Sequence, residues 1–183
     1  MSFYPKFTQS LLRIFDCSSK EANVKGNVAP CLCDPRLKVG HIMNRAVVAI
    51  DSEATVRDAA SKMVQHQIGC LIVTERGRPV GILTETDMLS RVLALAKNAE
   101  STKVKTVMSK PLICGIPDMD FTEATKLMVN RAIKKLPITH GEQLVGILTI
   151  TDAIAVHPGM HDFIREEAKG NVPKRFMKRL RKI

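Results

Sequence analysis

The fold is decided by a stretch that occurs twice, as Val80-Gly81-Ile82-Leu83-Thr84-Glu85-Thr86-Asp87 and as Val145-Gly146-Ile147-Leu148-Thr149-Ile150-Thr151-Asp152. Each copy begins with branched apolar residues typical of a buried strand and ends in Thr-x-x-Asp, which typically opens a helix. A shift of 65 residues aligns 39–93 with 104–158 without a gap and gives 15 identities in 55 pairs. Unrelated segments would share about three or four. The chain therefore contains a duplicated unit.

The first unit is predicted to fold as βαββα. Residues 47–50 form a short buried strand, and 70–74 and 80–84 form a hairpin that leads into a helix over 85–97. Between them lies an amphipathic helix. Its predicted apolar face consists of Val56, Ala59, Ala60, Met63 and Val64.

The second unit repeats this order. Its helix carries an apolar face of Phe121, Ala124, Met128 and Val129, and Pro158 with Gly159 shorten its last helix. Neither unit can bury both faces of a three-stranded sheet alone, so we expect an α/β fold in which the two units pack sheet to sheet about a pseudo-twofold axis. The expected organisation is an N-terminal extension (1–37), a first domain (38–98), a second domain (104–158) and a basic helical tail (159–183).

Composition and charge limit the function classes. The formal net charge is +10, and Lys174 to Lys182 contains six basic residues and no acid. There is no apolar run long enough to span a membrane, and five cysteines form no disulfide framework, so we expect a cytoplasmic protein. Cys31-Leu32-Cys33 with His41 lacks a second ligand pair, and no metal site is expected. No nucleophile-and-base arrangement is recognisable, which argues against an enzyme.

Together with Val-x-x-x-Met at 39–43 and 104–108, the duplicated pattern resembles the CBS domain family, in which two tandem copies form a Bateman module. The resemblance implies a regulatory adenosyl ligand, either AMP, ADP, ATP or S-adenosylmethionine. It assigns ribose binding to Asp87, Asp152, Thr84, Thr86, Thr149 and Thr151. It assigns the adenine and backbone contacts to Ala46, Val47, Val48, Pro111, Leu112 and Ile113. Thr84 with Asp87 also fits a helix capping box that has no ligand role.

The phosphate contacts are predicted at Lys134 and Lys135. In the gamma subunits of AMP-activated protein kinase, which this stretch resembles, basic residues at the matching positions contact phosphates. Water-facing edge-strand lysines are the alternative. The first unit has Gly69 and Cys70 instead, so we expect one well-formed nucleotide site, with a low-charge ligand such as S-adenosylmethionine possible at Asp87.

These features predict a non-enzymatic energy or metabolite sensor that acts through conformational change. The resemblance also implies a homodimer. The alternative function is a dimeric interaction protein that binds nucleic acid, or another partner, through Lys174 to Lys182, because clustered basic residues neutralise phosphates. The amphipathic residues between Phe3 and Phe15 are expected to pack on the module or to dock on a partner or membrane.

Overall fold

The computed structural model describes residues 37–156 and 164–165. In chain order, the first unit contains α1 (Val39–Ile42), β1 (Ala49–Asp51), α2 (Val56–His66), β2 (Cys70–Glu75), β3 (Arg78–Thr84) and α3 (Glu85–Arg91). The second unit contains α4 (Phe121–Asn130), β4 (Lys135–His140), β5 (Gln143–Thr149) and α5 (Ile150–Val156). One-turn 3-10 helices occupy Leu93–Leu95 and Val104–Thr106. The predicted α/β fold with repeated βαββα units is confirmed.

The two sheets share their hairpin geometry and differ in their first strand. Strand β1 pairs parallel to β2, which pairs antiparallel to β3. In the second unit only β4 and β5 form a ladder, and the predicted first strand is reduced to a parallel bridge between Gly115 and Ile138. Pro111 and Pro117 flank this segment and have no N–H to donate, which limits its pairing. Strands β3 and β5 contact each other, so the two sheets meet through their hairpins.

Two helical predictions need correction. Val64, expected on the apolar face of α2, is 78% exposed, whereas Val129 at the equivalent position of α4 is fully buried. Val129 belongs to a core cluster that includes Ile164, and no described residue covers Val64 in the same way. The α-helix expected over 85–97 ends at Arg91, and the 3-10 turn over Leu93–Leu95 follows it, with the Val92 side chain buried in the core between them.

The opening segment of each unit packs on the other unit. Asn44 exchanges two backbone hydrogen bonds of 2.9 Å with Ile147, and Ser109 exchanges bonds of 2.8 and 3.0 Å with Ile82. Accordingly, Val39 and Met43 lie in the core of the second unit, while Val104, Val107 and Met108 lie in that of the first. Each packed half therefore combines residues from both sequence repeats. Residues 39–44 and 104–109 are the exchanged segments.

A glycine in each repeat makes this exchange possible. A Cβ placed on Gly81 would lie 2.7 Å from Met108 Sδ and 3.0 Å from the backbone oxygen of Ser109. The same holds for Gly146 and Met43. The glycine of each Val-Gly-Ile-Leu-Thr string thus receives the methionine of the other repeat's Val-x-x-x-Met segment, which explains why both strings are duplicated.

Candidate functional site

A cleft of about 370 Å³ lies where the β3–α3 junction of the first unit meets the start of β4 in the second. The first unit contributes Thr84, Thr86, Asp87 and Arg91, and Ser109 comes from the exchanged segment. The second unit contributes Lys134 and Lys135, with Ala132 and Ile133 as an apolar wall. The structure therefore brings five predicted residues into one cleft: Thr84, Thr86 and Asp87 from the first unit, and Lys134 and Lys135 from the second.

Thr84 and Asp87 form a capping box at the start of α3. The Thr84 amide and hydroxyl donate to Asp87 Oδ2 at 2.9 and 2.6 Å, and the Asp87 amide donates to Thr84 Oγ1 at 3.2 Å. This arrangement satisfies the first-turn amides that a helix leaves without partners. The predicted capping role is thus present, and it commits one carboxylate oxygen.

The other oxygen of Asp87 faces the exchanged segment. Ser109 Oγ donates to Asp87 Oδ1 at 3.1 Å, and Arg91 Nη2 forms an ion pair with the same oxygen at 3.2 Å. Arg91 also donates to the carbonyls of Val107 and Met108 at 2.8 and 2.7 Å and to Ser109 Oγ at 3.1 Å. One guanidinium therefore links α3 to the opening segment of the second unit.

Lys135 lies near the equivalent residue of the first hairpin, Cys70. Burial raises the pKa of the Cys70 thiol above its usual value, and the positive charge of Lys135 opposes this shift while Glu85 adds to it. Lys135 is half-buried rather than fully water-facing. The starts of β2 and β4 are therefore close, with the two lysines on the side of the Asp87 cleft.

In the second copy of the motif, the contacts among the described residues are those of the capping box. The Thr149 amide and hydroxyl donate to Asp152 Oδ2 at 3.0 and 2.7 Å, and the Asp152 amide donates to Thr149 Oγ1 at 3.1 Å. No described residue donates to Asp152 Oδ1. Asn44 stands in place of Ser109, and Val156 in place of Arg91. Thr151 is exposed, as is its counterpart Thr86.

The residues predicted for adenine contact lie beside the exchanged segments. Ala46 is exposed, and its amide donates to Asn44 Oδ1 at 2.9 Å. Val47 and Val48 are half-buried, as are Leu112 and Ile113, while Pro111 is exposed. None of these six residues is among those that line the Asp87 cleft. Their adenine role stays a prediction.

The sequence did not identify Arg91 and Ser109 as site residues, and it did not place Lys134 and Lys135 at the same site as Asp87. It left a low-charge ligand to the Asp87 site, but the structure lines that cleft with Lys134 and Lys135. The signal for Arg91 was available, because residues four apart share a helix face and Arg91 follows Asp87 at that spacing. The position of Ser109 beside Asp87 depends on the packing of residues 104–109 against the first unit, which the sequence does not reveal.

Several sequence predictions fall outside the described residues: the amphipathic segment from Phe3 to Phe15, Cys31 with Cys33, and the tail from Lys174 to Lys182. Within 37–156 and 164–165, no three His, Cys, Asp or Glu side chains lie together as metal ligands would. In the same residues, no helix combines the length and the apolar character that a membrane span requires.

Duplicated βαββα units with a cleft at their junction define a class of paired-repeat modules. The sequence pattern of the CBS domain matches residues 39–94 and 104–159. The chain therefore belongs to the CBS domain family, and its two tandem copies form a Bateman module. The family inferred from the sequence is confirmed.

Known proteins of this family share both sequence and fold with the chain. The CBS domain-containing protein YhcV of Bacillus subtilis is 36% identical over 110 residues, which cover 60% of this chain and 78% of that protein. The hexameric CBS-CP12 protein from bloom-forming cyanobacteria is 32% identical with a TM-score of 0.61, over 64% of this chain and 69% of that chain. A CBS-domain protein of Burkholderia ambifaria MC40-6, described as acting in signal transduction, is 25% identical with a TM-score of 0.61, over 64% and 91% of the two chains.

Proposed function

We propose that the protein is a non-catalytic regulatory module that binds an adenine nucleotide in the Asp87 cleft and responds by a conformational change. The cleft itself carries this proposal, because it joins a Thr-x-x-Asp motif from one unit to Lys134 and Lys135 from the other. A carboxylate can accept hydrogen bonds from ribose hydroxyls, and the lysines match the charge of phosphates. AMP, ADP and ATP therefore fit the cleft better than S-adenosylmethionine.

Coupling to conformation follows from the position of the cleft. Its walls come from β3 and α3, from the exchanged segment at Ser109, and from the start of β4. A ligand that contacts these elements together binds one arrangement of the two halves better than others, which is the condition for shifting a population. The response would reach partners through the relative orientation of the halves.

Calorimetric titration of the full chain with AMP, ADP, ATP and S-adenosylmethionine tests the proposal. We expect at least one nucleotide to bind more tightly than S-adenosylmethionine. Lys135→Met should weaken ATP binding about tenfold, because a charge-assisted contact is lost. Lys97→Met is the matched control, since Lys97 is exposed and does not line the cleft. Absence of binding by all four ligands would refute the proposal.

A further inference from the structure

Both oxygens of the Asp87 carboxylate are covered by neighbouring groups. Its Oδ2 accepts hydrogen bonds from the amide and hydroxyl of Thr84, and its Oδ1 accepts one from Ser109 Oγ and forms an ion pair with Arg91 Nη2 at 3.2 Å. The guanidinium therefore stands over the one oxygen that the helix cap does not use. A ribose hydroxyl can approach Oδ1 closely when Arg91 moves aside.

Arg91 is the neighbour of Asp87 that a ligand can draw away. The Thr84 contacts belong to the cap of α3, whereas the Arg91 side chain is 42% exposed and lines the open cleft. Moving it from Asp87 separates two opposite charges, which is unfavourable unless the guanidinium gains another anion. A phosphate supplies that anion and can accept two guanidinium hydrogen bonds at once.

We infer that Arg91 is a specificity-determining residue that makes the Asp87 cleft selective for phosphorylated adenosyl ligands over phosphate-free ones. A nucleotide phosphate binds Arg91 beside Lys134 and Lys135, and the released Oδ1 accepts the ribose hydroxyl. A ligand without phosphate offers no anion in place of Asp87, so the Arg91–Asp87 pair stays closed and the ribose hydroxyl does not gain Oδ1. This inference rests on the proposed function and adds a residue and a selection rule to it.

The described part of the chain contains no equivalent of the Arg91–Asp87 pair at the second copy of the motif. In the sequence, Val156 stands at the position of Arg91, and Asp152 Oδ1 has no donor among the described residues. Both copies share the Thr-x-x-Asp motif, so the selectivity inferred at Asp87 comes from Arg91 and not from the motif.

Titration of the full chain with ATP and adenosine, in the parent and in Arg91→Gln and Arg91→Lys, tests the inference. Gln keeps an N–H donor for the Val107 and Met108 carbonyls but carries no charge, whereas Lys keeps the charge but cannot bridge all four acceptors. We expect Arg91→Gln to lower the preference for ATP over adenosine about tenfold, while Arg91→Lys retains it within about threefold. Lys97→Gln, which removes one charge outside the cleft, should leave the preference unchanged.

A merely structural Arg91 predicts another outcome. Loss of packing at 107–109 would weaken ATP and adenosine by the same factor, and Lys would be no better than Gln; that result overturns the inference while the proposed function stands. If the parent binds no adenosyl ligand, both fail. A measurement on the parent protein does not depend on the stability of the variants. In NMR spectra, the Arg91 Nε–H resonance, assigned by its absence in Arg91→Lys, should shift on saturation with ATP and not with adenosine. An Arg91 resonance that ATP leaves unmoved refutes the inference.

Discussion

Asp87 and Asp152 show how identical motifs acquire different chemistry from their neighbours. Both carboxylates close a capping box with a threonine three residues earlier. Among the described residues, only Asp87 also accepts a serine hydrogen bond and pairs with an arginine at its second oxygen, since Asn44 and Val156 stand in place of Ser109 and Arg91 in the sequence. The residue itself therefore does not determine its availability to a ligand.

Replacing the capping threonine separates stability from binding. Thr84→Ala should lower the free energy of unfolding by about 1 kcal/mol, the usual cost of losing an N-cap side chain. Thr55 caps α2 through Asp58 in the same way but lies outside the cleft, so Thr55→Ala is a matched control with a similar cost. Urea denaturation measures the stability of both variants. Titration with ATP should show weaker binding for Thr84→Ala alone, and equal affinity in the two variants would remove Thr84 from the site.

The sequence predicted the members of the site better than their grouping. Thr84, Asp87, Lys134 and Lys135 were recognisable from the repeat and its resemblance to a known family. Which lysines accompany which aspartate depends on how the halves pack, and the register of one half against the other leaves no local signal. For Arg91, the sequence shows the four-residue spacing from Asp87, but it does not show that the side chain donates to acceptors at 107–109.

At the level of elements, the exchanged segments do more than connect the units. Each pairs with a central hairpin and places a methionine over a glycine of that hairpin. The hairpins, α2 and α4 were predictable, because hydrophobic periodicity is a local property. The exchange was not, since the same Val-x-x-x-Met pattern would suit packing within its own unit. The missing first strand of the second sheet likewise reflects prolines whose effect depends on the partner strand.

The contact between Gly81 and Met108 can be measured by a double-mutant cycle. Gly81→Ala places a methyl group against Met108 Sδ and should cost about 1–3 kcal/mol of stability, as overpacking usually does. Met108→Ala removes a buried side chain and should also destabilise. If the two residues meet as described, the double variant is more stable than the sum of the single effects predicts, and chemical denaturation gives the difference. Additive effects would contradict this packing.

For the whole molecule, the packed halves do not coincide with the sequence repeats. The core of the first half consists of side chains that all lie between residues 45 and 109. They are Ile50, Val56, Ala59, Met63, Leu71, Val73, Leu83, Val92, Val104, Val107 and Met108. A boundary drawn between the repeats would therefore remove three members of this core.

Two fragments of nearly equal length test this organisation. Residues 45–109 contain the complete core of the first half, whereas 38–98 contain one sequence repeat without Val104, Val107 and Met108. We expect the first fragment to show a cooperative thermal transition and the second to be unfolded or to associate, because the buried face of its sheet is uncovered. Circular dichroism and light scattering distinguish these states. A monomeric, cooperatively folded 38–98 would contradict the exchange.

Self-association is the remaining prediction at this scale. Four of the five large apolar side chains that are most exposed among the described residues lie on α2, α3 or the turn after α3, including Val64 at 78% and Leu93 at 71%. Exposed apolar surface of this kind is typical of interfaces. We expect sedimentation to show a homodimer that Leu93→Lys weakens, whereas Lys97→Met has no effect. An oligomeric state unchanged by Leu93→Lys would exclude this surface.

The segment between the repeats, residues 98–103, also has a mechanical consequence. The carbonyls of Ala99 and Thr102 accept the amides of Arg57 and Val56 at 3.1 and 2.9 Å, so the connection is fastened to the first turn of α2. A flexible linker of similar length would allow the elements on either side of it to move independently. Here Val92 and Val104, on either side of the segment, both belong to the core of the first half, so a displacement between the halves must bend the chain near residues 45 and 110 instead.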